Sequence, residues 1–239
     1  MTGIAFWVVG EDWRVAEQSY RFMGRKNGIW LANEGALADA LGPLVWAQAV
    51  GDFSNPFISA DFPRPQLHMP VTGFAPDYFS IGLYKFVSQR LRDVFALPAG
   101  LVQYIPINLT DGGPEVRANN YRWMNLLACR PAIDLQRSIY KVRERTRHPT
   151  GETYWHIGAY ERMVIRDDIA PSAELFRAAE DLVTVLASDF LAERVMRAVC
   201  TGISFEDPAT ARSLGPISRY RTATGVEEED MDKVYPPAP

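Results

Sequence analysis

The sequence predicts an α+β fold: a mixed, mainly antiparallel sheet carrying short amphipathic helices. Three observations point there. Short apolar runs bounded by Gly, Pro, Asn or Asp recur at strand length along the chain. Two segments, "VSQRLRDVFALPAGLVQYIPI" and "LASDFLAERVMRAVCTGISF", share one grammar of serine, one-sided helix, glycine and strand. The chain has 239 residues, 47% hydrophobic and 12% aromatic, enough to bury a core without metal or disulfide support.

"GIAFWVV" reads as a first strand and "NEGALADALG" as a short helix, with the Asn33 side chain capping its first turn. "PLVWAQAV" is a second strand candidate. Residues 51–78 hold Pro56, Pro63, Pro65, Pro70 and Pro76, which deny that stretch both helix and central-strand status and predict an aromatic-pinned loop region. In "YKFVSQRLRDVFALPAG", Phe86, Val87, Leu91, Val94 and Phe95 fall on one helical stripe, which Pro98 and Gly100 stop. "LVQYIPINL" and "NYRWMNLLAC" read as strands, the second alternating Tyr121, Trp123, Asn125 with Arg122, Met124, Leu126. "TYWHIGAYERMVIRDDI" supplies one or two further strands, and "AELFRA" and "DLVTVLA" short extended pieces. A second helix follows. Ser88 and Ser188 are its and its counterpart's N-caps, Leu91 and Leu191 lie on the buried stripes, and Gly100 and Gly202 make the left-handed exits. Three portions result: a Pro- and aromatic-rich part over 1–75, a core over 76–207, and an acidic tail over 208–239.

Net charge is only −4, yet residues 1–149 sum to +3 and residues 150–239 to −7. A pI near 5.5 argues against general nucleic-acid binding, and no apolar run approaches the roughly 18 residues of a membrane span. "RSIYKVRERTRH" is the basic peak, read as a solvated strand or helix edge. The N-terminus has no signal-peptide pattern, so the expected setting is the cytoplasm.

Chemistry-bearing patterns are sparse. Cys200 falls in the last turn of the second helix, where the negative end of the dipole opposes a thiolate, and no spacing joins it to His68, His148 or His156. It reads as a small core residue. Neither zinc, phosphate-loop, dinucleotide nor serine-elbow motifs occur. Asp167 with Asp168, and "DGG" at 111–113, read as turns.

Several pieces taken in order carry a resemblance. They are Ser88 before the first helix, Val102 to Pro106, Tyr121 to Asn125, Ile133-Asp134 with Ser138, Leu175-Phe176-Arg177, Ser188, and Thr201-Gly202. Over roughly residues 76–207 this order resembles the immunity-protein family numbered eleven of bacterial polymorphic toxin systems. The resemblance implies a non-enzymatic protein without cofactor or metal that neutralises a cognate toxin, often a nuclease, inside the producing cell. It implies no direct nucleic-acid or membrane partner and fixes no oligomeric state. Candidate partner-binding residues are aromatics of the irregular N-terminal part, Trp13, Trp30, Phe53 and Phe57, with Phe62 beside them. The others are the tail acids Glu227, Glu228, Glu229, Asp230 and Asp232, too charged to bury and expected to move freely in the unbound protein. Two other readings stay open: an enzyme using His156, Glu161 and Asp168 near strand ends, or a structural or regulatory module of a secretion system.

Overall fold

The computed structural model describes residues 6–12, 30–33, 35–37, 39–40, 58, 60–69, 76–81, 84–110, 114–146, 153–170, 174–181, 184–210, 220–222 and 225–227. The strands are β1 (Phe6–Glu11), β2 (Trp30–Leu31), β3 (Gln66–His68), β4 (Tyr78–Ile81), β5 (Tyr84–Val87), β6 (Val102–Pro106), β7 (Asn108–Leu109) and β8 (Arg122–Leu126). They continue with β9 (Cys129–Arg130), β10 (Ile139–Thr146), β11 (Thr153–Arg162), β12 (Leu175–Ala178), β13 (Val185–Ser188), β14 (Ile203–Glu206), β15 (Tyr220–Thr222) and β16 (Gly225–Glu227). Three short helices are α1 (Gln89–Phe95), α2 (Pro114–Ala118) and α3 (Asp189–Arg197). Residues 35–37 and 39–40 are also helical.

Two sheets dominate. One runs β14-β1-β13-β12-β9 and the other β4-β5-β8-β6; a three-stranded sheet β2-β3-β7 and the hairpins β10-β11 and β15-β16 complete the set. Pairing is antiparallel except at β12–β9 and β3–β7. The fold is thus α+β with mixed, mainly antiparallel sheets. β1, from the N-terminal portion, lies between β13 and β14, so residues 1–75 and 76–207 share a sheet.

Strand alternation explains how two sheets serve three cores, because successive residues point to opposite faces. Val87, Met124, Leu126, Leu175, Val185 and Ala187 turn into a central cluster with Leu91 and Phe95 of α1 and Leu191 and Val195 of α3. Their neighbours Phe86 and Trp123 face outward to a second cluster with Leu31 and Leu67. Phe176, Ala178 and Leu186 face a third, with Tyr140, Tyr160 and Met163.

Several expectations need correction. The stripe assigned to one helix from Phe86 is a strand and a helix: Tyr84–Val87 pairs with β4 and β8, and the helix starts only after Ser88. Phe86 and Val87 are both fully buried on opposite faces of that strand, which a one-sided helix would not allow. Ala96, at φ 46°, makes the left-handed exit from α1, in place of Gly100. After α3 the left-handed residue is Val199, at φ 52°, ahead of Gly202 at φ 81°. Gln66–His68 forms a central strand of the small sheet despite flanking prolines, since Pro65 contributes only its carbonyl, accepting from Asn108 N–H at 2.8 Å. Asn33 uses its side chain on that strand: Oδ1 accepts from Gln66 N–H at 2.8 Å and Nδ2 donates to the Arg64 carbonyl at 3.0 Å. The basic run forms strand β10, one of the two forms expected for it, and Pro114–Ala118 adds the short helix α2, with Pro114 at its first position. "PLVWAQAV" and "DGG" lie outside the described residues.

A polar group sits between the two main sheets. Glu11 accepts a hydrogen bond from Ser80 N–H, tying β1 to β4. Burial, with Arg177 nearby and against the opposing pull of Glu11, lowers the Lys85 pKa to about 8, and burial raises Tyr78, Tyr121 and Tyr160 above their ordinary range. From pH 8 to the ordinary lysine value of 10.5 the unfolded chain holds the Lys85 proton that the folded chain has released, so stability rises with pH. Above pH 10.0 the folded tyrosines keep protons that the unfolded chain loses, and stability falls. Urea denaturation across this range is expected to show a climb of about 1–2 kcal/mol and then a decline. Lys85→Met removes the climb and leaves the decline.

Candidate partner-binding surface

The helix pair α1 and α3 is built by the same local rule. Each follows a strand and opens at a serine in extended conformation, and each serine accepts from the N–H three residues on: Leu91 to Ser88 Oγ at 3.1 Å, Leu191 to Ser188 Oγ at 3.3 Å. Arg90 of α1 donates to the Ala198 carbonyl at the end of α3, and Arg194 of α3 to the Phe95 carbonyl at the end of α1. Each helix therefore places a cation on the other's negative end. Ser88 has a second role, since its hydroxyl donates to the buried Asp77 at 2.6 Å. Ser188→Ala is expected to cost about 1 kcal/mol and Ser88→Ala about 2 kcal/mol, the excess coming from an orphaned carboxylate oxygen, as read by urea denaturation midpoints.

Cys200 lies three residues beyond the last helical residue, not within the final turn, and packs against the central cluster. Burial raises its thiol pKa, Asp77 adds to the rise, and Arg90 opposes it. Burial likewise raises Cys129. Both thiols stay protonated and poor in nucleophilicity.

The carboxylates of the enzyme reading are separately engaged. Asp167 and Asp168 occupy a turn; Arg137 bridges Asp134 and Asp167, and Arg166 holds Asp168 at 2.8 Å. The Arg166 pair lowers the Asp168 pKa, keeping it an anion rather than a proton carrier. Glu161 is exposed on β11, and His156 lies in the same strand opposite Arg143. Among the described residues no group of three or more His, Cys, Asp or Glu is arranged to hold a metal.

Of the partner-binding candidates, Trp30 pairs with His68 in β2–β3 and Glu227 ends β16 opposite Tyr220. Trp13, Phe53, Phe57, Glu228, Glu229, Asp230 and Asp232 lie outside the described residues. Phe62 packs on Trp123 with ring centroids 5.7 Å apart, so it pins its loop to the core. Three large apolar side chains on or just after α3 are exposed one by one, with no place in the sequence expectations: Phe190 is 65% exposed, Met196 54% and Val199 70%. Arg194 lies over the Phe190 ring at 5.5 Å. The signal was present, because Phe190 stands opposite the Leu191, Ala192, Val195 stripe.

The residues that carry the family resemblance are framework. Gln103 holds Ile58 by both backbone groups, at 2.9 and 2.7 Å, and Asn125 donates to Gln103 at 3.3 Å. Asp134 caps the turn through Gln136 and Arg137 N–H, and Ser138 Oγ accepts from Val164 N–H. Thr201 and Gly202 dock on residues 76–78. The described residues thus define an α+β scaffold whose family-typical polar side chains are engaged in holding the fold. A model of the immunity protein family Imm11 matches residues 24–210, and the chain belongs to that family. No curated protein matches it. No helix among the described residues is long and apolar enough to cross a membrane.

Proposed function

We propose that the protein binds a cognate bacterial toxin in the cytoplasm of the producing cell and neutralises it by covering it, without chemistry of its own. The observation that carries this reading is the family match over residues 24–210. The protonated thiols and the ion-paired carboxylates support it, since contact inhibition needs complementarity rather than reactive groups.

The tail extends the reading to the toxin's chemistry. Glu227, Glu228, Glu229, Asp230 and Asp232 face a single cation, Lys233. Such a run suits a basic surface of the kind a nuclease presents to phosphates, and it speeds encounter by long-range attraction. The test is the association rate with the toxin encoded beside this gene, measured as salt is raised, for the full chain and for a truncation after Thr222. The truncation is expected to associate at least about tenfold more slowly at low salt and to lose most of the salt dependence. Equal rates and slopes would assign recognition to the folded body, where the exposed Phe190 and the N-terminal aromatics are the next residues to change.

A further inference from the structure

Two arginines share one corner of the fold, and neither has a carboxylate partner among the described residues. Arg92 belongs to α1, and Arg122 begins β8 opposite Val87 and Pro106. The turn before β8 brings them together. Asn120 takes a left-handed φ of 47°, which asparagine tolerates. The turn is tied to α1, since Gln89 N–H donates to the Asn119 carbonyl at 2.8 Å and Asn120 Nδ2 to Gln89 Oε1 at 3.0 Å. Consecutive carbonyls then hold the two guanidinium groups: Arg92 Nη2 donates to Asn120 O at 2.7 Å and Arg122 Nη1 to Tyr121 O at 3.2 Å.

Neutral acceptors fix Arg92 in place. Its Nη2 also donates to Gln89 Oε1 at 2.7 Å and its Nε to the Ser88 carbonyl at 3.4 Å, which leaves Nη1. Arg122 keeps Nε and Nη2, the edge of the guanidinium that forks onto an oxyanion. The neighbouring carboxylate, Asp93, accepts from Gln89 Nε2 at 2.6 Å instead. Burial lowers the Arg92 pKa and the charge of Arg122 lowers it further, against the pull of Tyr104 and Asp93. An anion between the two cations would relieve both.

A third donor stands beside them. Arg92 Cζ lies 5.7 Å from the centre of the Tyr104 ring, and the Tyr104 hydroxyl is buried with no hydrogen-bond partner. Tyr104 and Arg122 share a face of the sheet, because Tyr104 is opposite Met124 and Arg122 opposite Pro106, one pleat away. All three side chains are half-buried rather than sealed. The free atoms of the pair are donors only, so they suit a fully ionised oxyanion. A carboxylate fills the Arg122 fork alone, whereas a tetrahedral dianion offers a further oxygen to Arg92 Nη1 and sets two negative charges against two positive.

We propose that Arg92, Arg122 and Tyr104 form a binding site for a phosphate group, carried as the free ion or as the phosphoryl end of a small molecule. The site stands on these residues alone and does not depend on the toxin reading.

An NMR titration of the full chain tests it, following the amides of residues 89–92 and 119–122 and the arginine Nε–H signals. Inorganic phosphate, phenyl phosphate and acetate are added in turn at constant ionic strength, above the second phosphate pKa of about 6. Inorganic phosphate is expected to give saturating shifts confined to those segments and to bind at least about tenfold more tightly than acetate. Phenyl phosphate binding as well as the free ion assigns the site to the phosphoryl end of a larger molecule, and its exclusion assigns the site to the ion. Arg122→Gln gives up only one bond to the adjacent carbonyl, and it is expected to weaken phosphate about tenfold or more with the fold intact. Tyr104→Phe removes an unpaired hydroxyl, so the urea midpoint without phosphate holds steady while the gain that phosphate confers shrinks. Shifts that do not saturate, acetate binding as tightly as phosphate, or Arg122→Gln binding phosphate as wild type does overturns the proposal.

Discussion

Gly202→Ala is expected to destabilise the protein by about 4 kcal/mol or more, a large share of the 5–15 kcal/mol that holds a typical domain folded. Gly202 has φ 81°, where a side chain is strained, and a Cβ there would stand 2.1 Å from the Tyr78 carbonyl oxygen and 2.6 Å from Pro76 Cβ. Neither neighbour can yield cheaply. Tyr78 N–H donates to the Thr201 carbonyl at 3.1 Å, Asp12 N–H donates to the Gly202 carbonyl at 3.2 Å, and Tyr121 Oη donates to the Pro76 carbonyl at 2.7 Å. The backbone of 76–78 is therefore clamped from two sides and Gly202 is itself held to the end of β1, so moving either would pull β1, β4 and β14 apart. Denaturation midpoint and soluble yield read the effect; a loss below about 1 kcal/mol would show that the contact relaxes.

Asp77→Ala is expected to cost about 3 kcal/mol. The Asp77 carboxylate is buried and accepts from Ser88 Oγ at 2.6 Å, from Thr201 N–H at 2.9 Å and from Thr201 Oγ1 at 3.3 Å, with Arg90 Nη1 at 3.6 Å. Removing it strands three donors, the Ser88 hydroxyl among them fully buried, and loosens the start of α1 from the segment that follows α3. Asp77→Asn, which keeps one acceptor, is expected to lose about half as much. In a double-mutant cycle, Asp77→Ala with Ser88→Ala falls short of the sum, because both remove the same hydrogen bond. Full additivity would place the stabilising role of Asp77 elsewhere.

These two sites show where sequence reading stops. Ser88 and Ser188 were legible as caps because the signal is local: a small hydroxyl residue directly before an amphipathic run. The strands around Trp123 and Leu186 were legible from alternation and length. The Asp77–Thr201 contact spans a sequence separation of 124 residues and leaves no periodic trace. Phe86 and Val87 fit a helix as well as a strand, since two adjacent buried residues before a helix extend its apparent stripe. The strand at Gln66–His68 escaped because prolines beside it exclude long strands, not one of three residues. The surface that meets a partner was the least legible part. The residues that identify the family hold the fold, and Phe190 read as part of a helix rather than as an exposed aromatic.

The direct measurement is a titration of the proposed cognate toxin with the purified protein, following toxin activity against molar ratio, for wild type and Cys200→Ala. Neutralisation by contact predicts that activity falls linearly to zero at a fixed stoichiometric ratio, that dissociating the complex returns active, unmodified toxin, and that Cys200→Ala behaves as wild type. Inactivation by substoichiometric protein, with chemically altered toxin recovered, would contradict it and make this protein an enzyme.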